Sequence, residues 1–451
     1  MFVLALALAG CGPGQRSGGT RPDGGGGGGG GTLTSIDVSP PSASLVTTGG
    51  GAAATQAFVA TGHFSDGHTE DLSAAVAWSV SDAGIGSIAA GSFTGAPSRG
   101  GVATVMAASQ DGISGSATLT IKYVATRVST DDGSTAPAGS AGLFANGADD
   151  PTLAPPVLYP LDGAQVPHNL GLLEVQWKKP TAAADLFEVS FASPTLDYTV
   201  YTNALKANGG RLALAPAEWS SIADSNMGQT VAVKVRGMIT AQPGKIGSSS
   251  AVMLAVGAAD VSGGIYYFAP VSATGQNVGA IVRHSFGDTT GTATQFYAPN
   301  NGTRCVGCHV ITRDGTKMAV TYDGGNGAAA IVGVPALGAL LPEASGVKWN
   351  FAAYSPDGMR MVATSGGTLK ILDTSGDANN GKVLQTLADG SAGHYASHPD
   401  WSADGSHIVY VDVGAPQNNT EWNFGQGSIV VVSDMGMGMF GSPTTIVKSK
   451  G

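Results

Sequence analysis

Ser355-Pro356-Asp357-Gly358-Met359-Arg360-Met361-Val362-Ala363 leads from a polar Asp-Gly turn into an apolar strand, and two other stretches repeat this pattern. The other copies are Thr312–Val320 and Ser402–Tyr410, so the three copies start 43 and then 47 residues apart. In each copy an apolar strand enters the turn and another leaves it, as a β-hairpin requires. A period of this length is typical of the four-stranded blades of a β-propeller. The sequence therefore predicts a series of blades in its last part.

These copies resemble the WD40-like repeats of TolB-type propellers, and the Ser-Pro-Asp-Gly copy is the most specific of the three. The resemblance implies a propeller segment over residues 264–451, whose more divergent first blade contains Ile265–Phe268 and Ala280–His284. At this period the segment has room for about four blades, whereas TolB-type propellers usually close with more. The propeller is therefore either incomplete, as we expect from a truncated reading frame, or small or completed by a partner.

Composition indicates an all-β, extracytoplasmic chain. Of its 451 residues only 12% are charged, 69 are glycine, and helical heptads are absent. The length suits about three domains. The net charge of -10 comes without a basic cluster, which argues against a nucleic-acid partner. We predict two β-sandwich domains followed by the propeller segment.

The first sandwich is predicted over residues 33–124, where short alternating strands are separated by turn residues. One strand, Gln56–Phe64, runs into Ser65-Asp66-Gly67, whose Asp-Gly pair suits a hairpin, and Trp78 is expected to fill the core. The segment resembles the group 2 bacterial Ig-like domain, which implies a spacer or adhesion module without catalytic residues. Nearby polar residues could be taken for metal ligands but are better explained as exposed hairpin residues: His63, His68 and Glu70.

Residues 125–154 are rich in Ser, Gly, Ala and Asp and are predicted to be a linker. Residues 155–258 resemble a fibronectin type III sandwich, with a proline-led start, Trp177 ending an early strand and a late alternating strand at Val231–Gly237. Trp177 and Trp219 are expected in the core rather than in a sugar-stacking role.

The N-terminus indicates export. Met1–Ala9 is almost purely apolar and is too short to span a bilayer, which needs roughly 20 residues. The end of this run, Leu8-Ala9-Gly10-Cys11, resembles the lipobox of bacterial lipoproteins. That resemblance implies a signal peptide over residues 1–10, acylation of Cys11 and attachment to the membrane through this lipid. Gly12 in place of aspartate favours the outer membrane by the same resemblance, with the protein facing the periplasm or the cell surface. The Gly-rich residues 11–32 are predicted to form a flexible tether.

The pentapeptide Cys305-Val306-Gly307-Cys308-His309 carries the main functional hypothesis. Its spacing is that of covalent c-type haem attachment, in which both thiols hold the haem and the histidine ligates the iron. One alternative is a local disulfide between Cys305 and Cys308 in an oxidising compartment. Zinc binding or thiol redox chemistry is less favoured, because a fourth ligand and a thioredoxin-like pattern are both missing.

A haem iron needs a second axial ligand for simple electron transfer, and the candidates for it lie in the propeller. His398 and His394 precede a blade, as the C-x-x-C-H motif does, and His398 is preferred over His394. Met361 and Met318 match Ile408 in the repeat and are expected in the blade core. The remaining candidates are Met359 and His407.

The sequence thus predicts a lipid-anchored envelope protein that carries haem c on its propeller and acts in electron transfer or redox binding with a partner protein. The alternative is a non-redox envelope or surface protein that binds protein or glycan through its Ig-like and propeller domains, with the cysteines as a disulfide. A haem enzyme with an open iron site is a third hypothesis. Hydrolysis is not supported, because the chain has no G-x-S-x-G, H-E-x-x-H or P-loop motif.

Overall fold

The computed structural model describes residues 31–206, 208–273, 276–288, 292–298, 304–323, 328–376, 379–391, 393–414, 424–436 and 438–448. The predicted signal peptide, Cys11 and nearly all of the predicted tether lie outside these residues. The described chain is almost entirely β, as predicted, and forms two β-sandwiches and a series of propeller blades. Within the described ranges, no helix is both long and apolar enough to cross a membrane.

The chain divides into two compact units. The first contains the described residues up to Arg127, together with Ser190–Thr199 and Asp224–Asn226. Its strands are β1 (Leu33–Ser39), β2 (Ser42–Thr48), β3 (Thr55–Ala57), β4 (Val59–Phe64), β5 (Thr69–Asp71), β6 (Ala77–Val80), β7 (Gly86–Ala89), β8 (Ser92–Gly95), β9 (Gly101–Ala108) and β10 (Ser114–Val128).

Strand alternation builds the core of the first sandwich. β9 and β10 pair antiparallel and point every second side chain inward, among them Val105, Leu119 and Ile121, each fully buried. The strand predicted over Gln56–Phe64 is split at Phe58, whose N–H donates to the Gly91 carbonyl at 2.7 Å. As a result β3 pairs with β8, while β4 pairs with β1.

Two details of this sandwich refine the sequence predictions. Trp78 is only half-buried at the edge of the core, and its Nε1–H donates to the Ser73 carbonyl at 2.8 Å. The two histidines have separate acidic partners, since His63 contacts Asp37 at 2.9 Å and His68 contacts Asp66. They therefore do not converge on one site.

The second unit contains Val128–Val189, Val200–Ala223 and the described residues from Met227 onward. Its first part holds two α-helices, α1 (Ser140–Ala145) and α2 (Pro216–Asp224), and 3-10 turns at Asp131–Gly133 and Pro151–Leu153. The strands from Ala148 to Gly257 are β11 (Ala148–Asp149), β12 (Val157–Tyr159), β13 (Gln165–Pro167), β14 (Glu174–Lys178), β15 (Leu186–Ser193), β16 (Leu196–Thr202), β17 (Leu205–Lys206), β18 (Gly209–Ala213), β19 (Thr230–Met238), β20 (Lys245–Ser248) and β21 (Val252–Gly257). Residues 190–193 of β15 and 196–199 of β16 belong to the first unit.

The second sandwich buries the tryptophans that the sequence placed in its core. β12, β14, β18 and β17 form one sheet, and β19 pairs with both β20 and β21 in another. Trp177 on β14 and Trp219 on α2 are each 1% exposed, and the Trp177 ring lies 5.4 Å from that of Phe187. Both side chains are thus accounted for by packing.

Residues 125–154, which were predicted to be a linker, contain short helical elements and buried apolar side chains. Phe144 on α1 and Leu153 are 1% and 2% exposed, and Phe144 packs with Tyr201 and Met238. These two large apolar side chains lie in a stretch that is otherwise rich in Ser and Gly. Average composition hides such isolated anchors.

From Gly264 the described chain forms four antiparallel sheets, here called blades 1 to 4. Blade 1 consists of β22 (Gly264–Ala273), β23 (Gln276–Ser285) and β24 (Thr294–Tyr297), and blade 2 of β25 (Val306–Ile311), β26 (Lys317–Tyr322), β27 (Ala329–Gly333) and β28 (Ala339–Leu341). Blade 3 consists of β29 (Phe351–Tyr354), β30 (Arg360–Ser365), β31 (Thr368–Asp373) and β32 (Val383–Asp389), and follows a 3-10 turn at Glu343–Ser345. Blade 4 consists of β33 (Ala396–Trp401), β34 (His407–Asp412), β35 (Ser428–Ser433) and β36 (Thr444–Val447). The first strand of blade 3 lies between the first strands of blades 2 and 4.

The repeated turn has a shared hydrogen-bond pattern. In blade 3, Ser355 Oγ donates to Asp357 at 2.6 Å and accepts the Arg360 N–H at 3.0 Å. Thr312 and Ser402 do the same in blades 2 and 4. The hydroxyl, the carboxylate and a left-handed glycine such as Gly358 (φ 67°) together close the hairpin.

The residue after this turn also connects neighbouring blades. Lys317 of blade 2 donates through Nζ to the carbonyls of Gly358 and Thr374 in blade 3, at 2.7 and 2.6 Å. Arg360, at the same repeat position in blade 3, donates to the Gly438 carbonyl beside blade 4 at 2.9 Å. These contacts keep consecutive blades in register.

Candidate functional site

The C-x-x-C-H motif occupies the start of the first strand of blade 2. Gly307 pairs with Thr321 and Val310 with Ala319, so Cys308 and His309 together stand opposite a single residue of β26. This is a β-bulge, a feature that re-aims side chains and is frequent beside functional sites. Cys308 has the left-handed φ of 44°. The bulge therefore turns the second cysteine out of the ordinary alternation of the strand.

Blade 4 has the same bulge at the same place. Ser397 pairs with Val411 and Asp400 with Val409, which leaves His398 and Pro399 opposite one residue of β34. His398 also has a φ of 44°. Cys308 and His398 are therefore structurally equivalent residues of blades 2 and 4. The sequence contains a signal for this, because each precedes the Asp of its turn by the same six positions.

The two thiols of the motif differ in exposure. Cys308 is exposed, whereas Cys305 is half-buried, and the structure holds them as separate thiols without a disulfide. A Cβ built on Gly279 would lie 2.8 Å from Cys305 Sγ and would overlap the Phe268 ring. Cys305 thus faces blade 1 at a point where a glycine makes room for it.

His309 is held by the backbone of blade 1. Its half-buried ring donates through Nε2–H to the Tyr266 carbonyl of β22 at 3.2 Å. A carbonyl can only accept, so this contact requires a proton on Nε2. Ring orientation by a backbone carbonyl is the usual support for a metal-ligating histidine.

Arg304, the residue before the motif, is held by a network of hydrogen bonds to acidic side chains. The sequence alone did not identify it as a functional candidate. Its guanidinium donates two hydrogen bonds to Glu343, at 2.6 and 2.8 Å, and one to Asp323 at 2.7 Å. The hydrogen bonds from Arg304 hold the pKa of Glu343 below its ordinary value. The Asp323 N–H donates in turn to the Cys305 carbonyl at 3.1 Å, so this network positions the first cysteine.

The two candidate second ligands have different surroundings. Exposed His398 stacks on Phe351 of blade 3, with ring centres 3.9 Å apart, and its Nδ1 lies 2.7 Å from Ser397 Oγ. His394 Nδ1 lies 2.7 Å from the Asp412 carboxylate, which raises the pKa of His394. His394 lines one groove within blade 4 and another between blades 3 and 4, and the walls of neither include the C-x-x-C-H residues.

The other candidates follow their places in the repeat. Met318 and Met361 are fully buried in the blade core, as their alignment with Ile408 predicts. Met359 is 46% exposed on its turn. His407 is exposed, and its ring contacts the neighbouring Ser406 hydroxyl.

Comparison with known proteins gives little further information. No family model matches the chain, and no curated protein matches it. Among solved structures, dihydro-haem d1 dehydrogenase NirN in complex with DHE is 14% identical, with 70% of this chain and 78% of that chain covered and a TM-score of 0.27. A puromycin-hydrolysing peptidase of Mycobacterium tuberculosis is 13% identical with a TM-score of 0.18, and the alignment covers 67% of this chain but only 36% of the peptidase. Similarities this low do not bear on what the chain does.

Proposed function

We propose that this chain is a lipid-anchored envelope protein that carries a covalent c-type haem on blade 2 and acts as an electron-transfer or redox-binding module. The observation that carries the proposal is the arrangement of the motif on its bulged strand. Cys305 precedes the bulge, Cys308 lies in it, and His309, the other residue of the bulge, is oriented by a backbone carbonyl. The donor set therefore suits the group.

Each residue of the motif would have its own part in holding the haem. Cys305 and Cys308 would form the thioether links, Cys308 from the surface and Cys305 from beside Gly279. His309 would ligate the iron while Tyr266 continues to accept its other ring N–H. A bound haem c supplies one-electron redox chemistry, with a potential that depends on its axial ligands.

His398 is the better of the two candidates for a second ligand. It shares the bulge position of Cys308. It lies on β33, and β29 of blade 3 contacts both β33 and the motif strand β25. His394 instead lies in the connection before β33, and its Nδ1 contacts the Asp412 carboxylate. We therefore keep His398 in the proposed site and place His394 outside it.

The location remains part of the proposal. The lipid would be attached to Cys11 after removal of residues 1–10, and residues 11–32 would tether the folded domains to the outer membrane. The Ig-like and fibronectin-like sandwiches would then hold the propeller away from the lipid. A redox partner protein of the envelope would exchange electrons with it.

The test is covalent haem retention. The full chain is expressed with its export signal in a strain competent for cytochrome c maturation, denatured, and examined for haem absorbance on the protein band. We expect absorbance in the parent and its complete loss in the Cys305→Ser/Cys308→Ser double variant, with lipidation at Cys11 unchanged. His398→Ala should keep the covalent haem but shift its absorption spectrum.

A colourless parent protein would overturn the haem proposal. If its cysteines also resisted alkylation until reduced, the rival interpretation would stand, in which a Cys305–Cys308 disulfide tightens a non-redox protein that binds protein or glycan.

A further inference from the structure

The connection from β35 to β36 in blade 4 is a tight hairpin that carries two methionines outside the haem proposal. The Met435 N–H donates to the Met439 carbonyl at 2.7 Å, and Asp434 and Phe440 form an antiparallel bridge beside them. Met435 and Met439 are therefore directly opposite residues of a short ladder. Opposite residues point to the same face, with Cβ atoms about 4.5–5.5 Å apart, so the two thioether side chains are neighbours.

This hairpin is held by hydrogen bonds from blade 3 and by one buried ring. The Gln385 side-chain amide donates to the Phe440 carbonyl at 2.7 Å, and its oxygen accepts the Phe440 N–H at 3.0 Å. Phe440 is 5% exposed, and its ring lies 5.4 Å from that of Trp401. Arg360 donates to the Gly438 carbonyl within the loop. The backbone that carries the two methionines is thus positioned before any ligand binds.

The methionine side chains themselves extend into solvent. Met435 is 75% exposed, more than any other large apolar side chain of the described residues, and Met439 is 53% exposed. A Cβ built on Gly441 would lie 3.1 Å from Met435 Sδ, so the glycine leaves room for the sulfur on this face. Core packing explains neither side chain. Two adjacent exposed thioethers on an anchored hairpin are explained if they bind a ligand.

The chemistry of the donor atoms selects that ligand. Thioether sulfur is a soft, uncharged donor that suits Cu(I), whereas Zn²⁺, Ca²⁺ and Mg²⁺ take thiolate, imidazole or oxygen donors. Cu(I) accepts as few as two soft ligands, in a linear arrangement. In the part of the chain that the structure describes, no group of three or more His, Cys, Asp or Glu side chains could hold a metal ion. A harder ion therefore has no comparable cluster there.

We propose that Met435 and Met439 form a surface site for one Cu(I) ion, which their two thioether sulfurs ligate. The ion keeps its oxidation state on binding, and no electron or proton is transferred. Met437, between them in the sequence, lies outside the described residues and takes no part in the proposed site. The site is separate from the haem proposal, because it uses no residue of C-x-x-C-H.

The experiment titrates Cu(I) into the full chain with Cys11→Ser, Cys305→Ser and Cys308→Ser, so that neither a thiol nor haem competes for the ion. Cu(I) is supplied without oxygen as its tetrakis(acetonitrile) complex, and binding is measured by isothermal titration calorimetry. We expect saturable binding of one Cu(I) per chain. The redox-inert analogue Ag(I) should bind with the same stoichiometry, and Zn²⁺ should not displace either ion.

Leucine substitutions test the two ligands, because leucine removes the sulfur and nearly keeps the volume of the side chain. Met435→Leu and Met439→Leu should each weaken Cu(I) binding by roughly 10-fold or more, and the double variant should lose the site. Met106→Leu/Met253→Leu is the matched control, since these methionines on β9 and β21 are also exposed, at 41% and 42%. It should bind Cu(I) like the parent.

NMR of ¹³C-methyl-labelled methionine then locates the ion. Ag(I) should shift the two methyl signals that Met435→Leu and Met439→Leu remove, and leave those of Met106 and Met253 in place. Undiminished Cu(I) binding in the Met435→Leu/Met439→Leu variant, loss of binding in the control, or no saturable binding by the parent would each overturn the proposal. Haem retention is measured on a chain that keeps its cysteines, so the two proposals fail independently.

Discussion

Blades 2 and 4 differ from blade 3 by one residue in the first strand. In blade 3, Phe351 to Tyr354 pair with β30 without interruption. In blades 2 and 4 the same strand carries an extra residue, and the bulge holds Cys308–His309 in one and His398–Pro399 in the other. The turn and the second strand are alike in all three blades. The repeated turn and strands are thus common to the three blades, whereas the candidate haem residues Cys308, His309 and His398 lie in the bulges that interrupt the regular strand pairing.

The largest difference in the free energy of unfolding is expected from substitutions at the residue position before the first strand of each blade. This position is Trp349 in blade 3 and Cys305 in blade 2, and Trp349 is fully buried while Cys305 is half-buried. Trp349→Ala should lower the free energy of unfolding of the propeller segment by about 3–5 kcal/mol, because it leaves a large cavity. Cys305→Ala should cost less than about 1 kcal/mol. Denaturant unfolding of both variants checks this, and equal losses would show that blade 2 packs this position as blade 3 does.

A smaller loss is expected from the contact between blades. Lys317→Met removes the ammonium that donates to the Gly358 and Thr374 carbonyls and should lower the free energy of unfolding by about 1.5–3 kcal/mol. His407 holds the equivalent repeat position in blade 4, where its ring contacts Ser406 rather than a further blade. His407→Gln should therefore change stability by less than about 0.5 kcal/mol. Amide hydrogen exchange on β30 and β31 measures the effect, and unchanged exchange in Lys317→Met would contradict it.

The smallest expected effect is on the pH dependence of stability, through the carboxylate of Asp404 in the shared turn. Hydrogen bonds from the Ser402 hydroxyl, the Ser406 backbone N–H and the Ser406 hydroxyl hold the pKa of Asp404 well below its usual range. A lowered pKa in the folded state stabilises the fold above the ordinary carboxyl pKa, and this contribution is lost as the pH falls through the lower folded value. The melting temperature should therefore fall on acidification below about pH 4. Ser402→Ala should flatten that dependence slightly, and a steeper dependence in the variant would refute the assignment.

Much of the fold was accessible from the sequence because it depends on local patterns. The three Asp-Gly copies predicted three hairpins, and each forms as a turn closed by its own Ser or Thr hydroxyl. Burial of Met318 and Met361 followed from their alignment with Ile408 in the repeat, and Trp177 and Trp219 were expected in the core and are buried there. Burial of Phe144 and Leu153 was not predicted, because they are isolated apolar residues in a stretch of small polar ones.

The candidate site was accessible only in part. The spacing of Cys305, Cys308 and His309 suggested haem chemistry directly, and the attachment itself stays a prediction. The bulge, the Tyr266 carbonyl that orients His309 and the Arg304 network depend on residues 9 to 43 positions away in the chain, and no local pattern reveals such contacts.

The sequence by itself determined the all-β character, the hairpin repeat and the placement of a C-x-x-C-H motif at the entrance to a blade, because each follows from neighbouring residues. Only the tertiary structure decided that Cys308 and His398 occupy equivalent bulges and that His394 belongs to a groove with Asp412 and Tyr410. Strand register decides the first and blade packing the second. Both bring together side chains that are distant in sequence, and their energies depend on contacts that form only when the blades assemble.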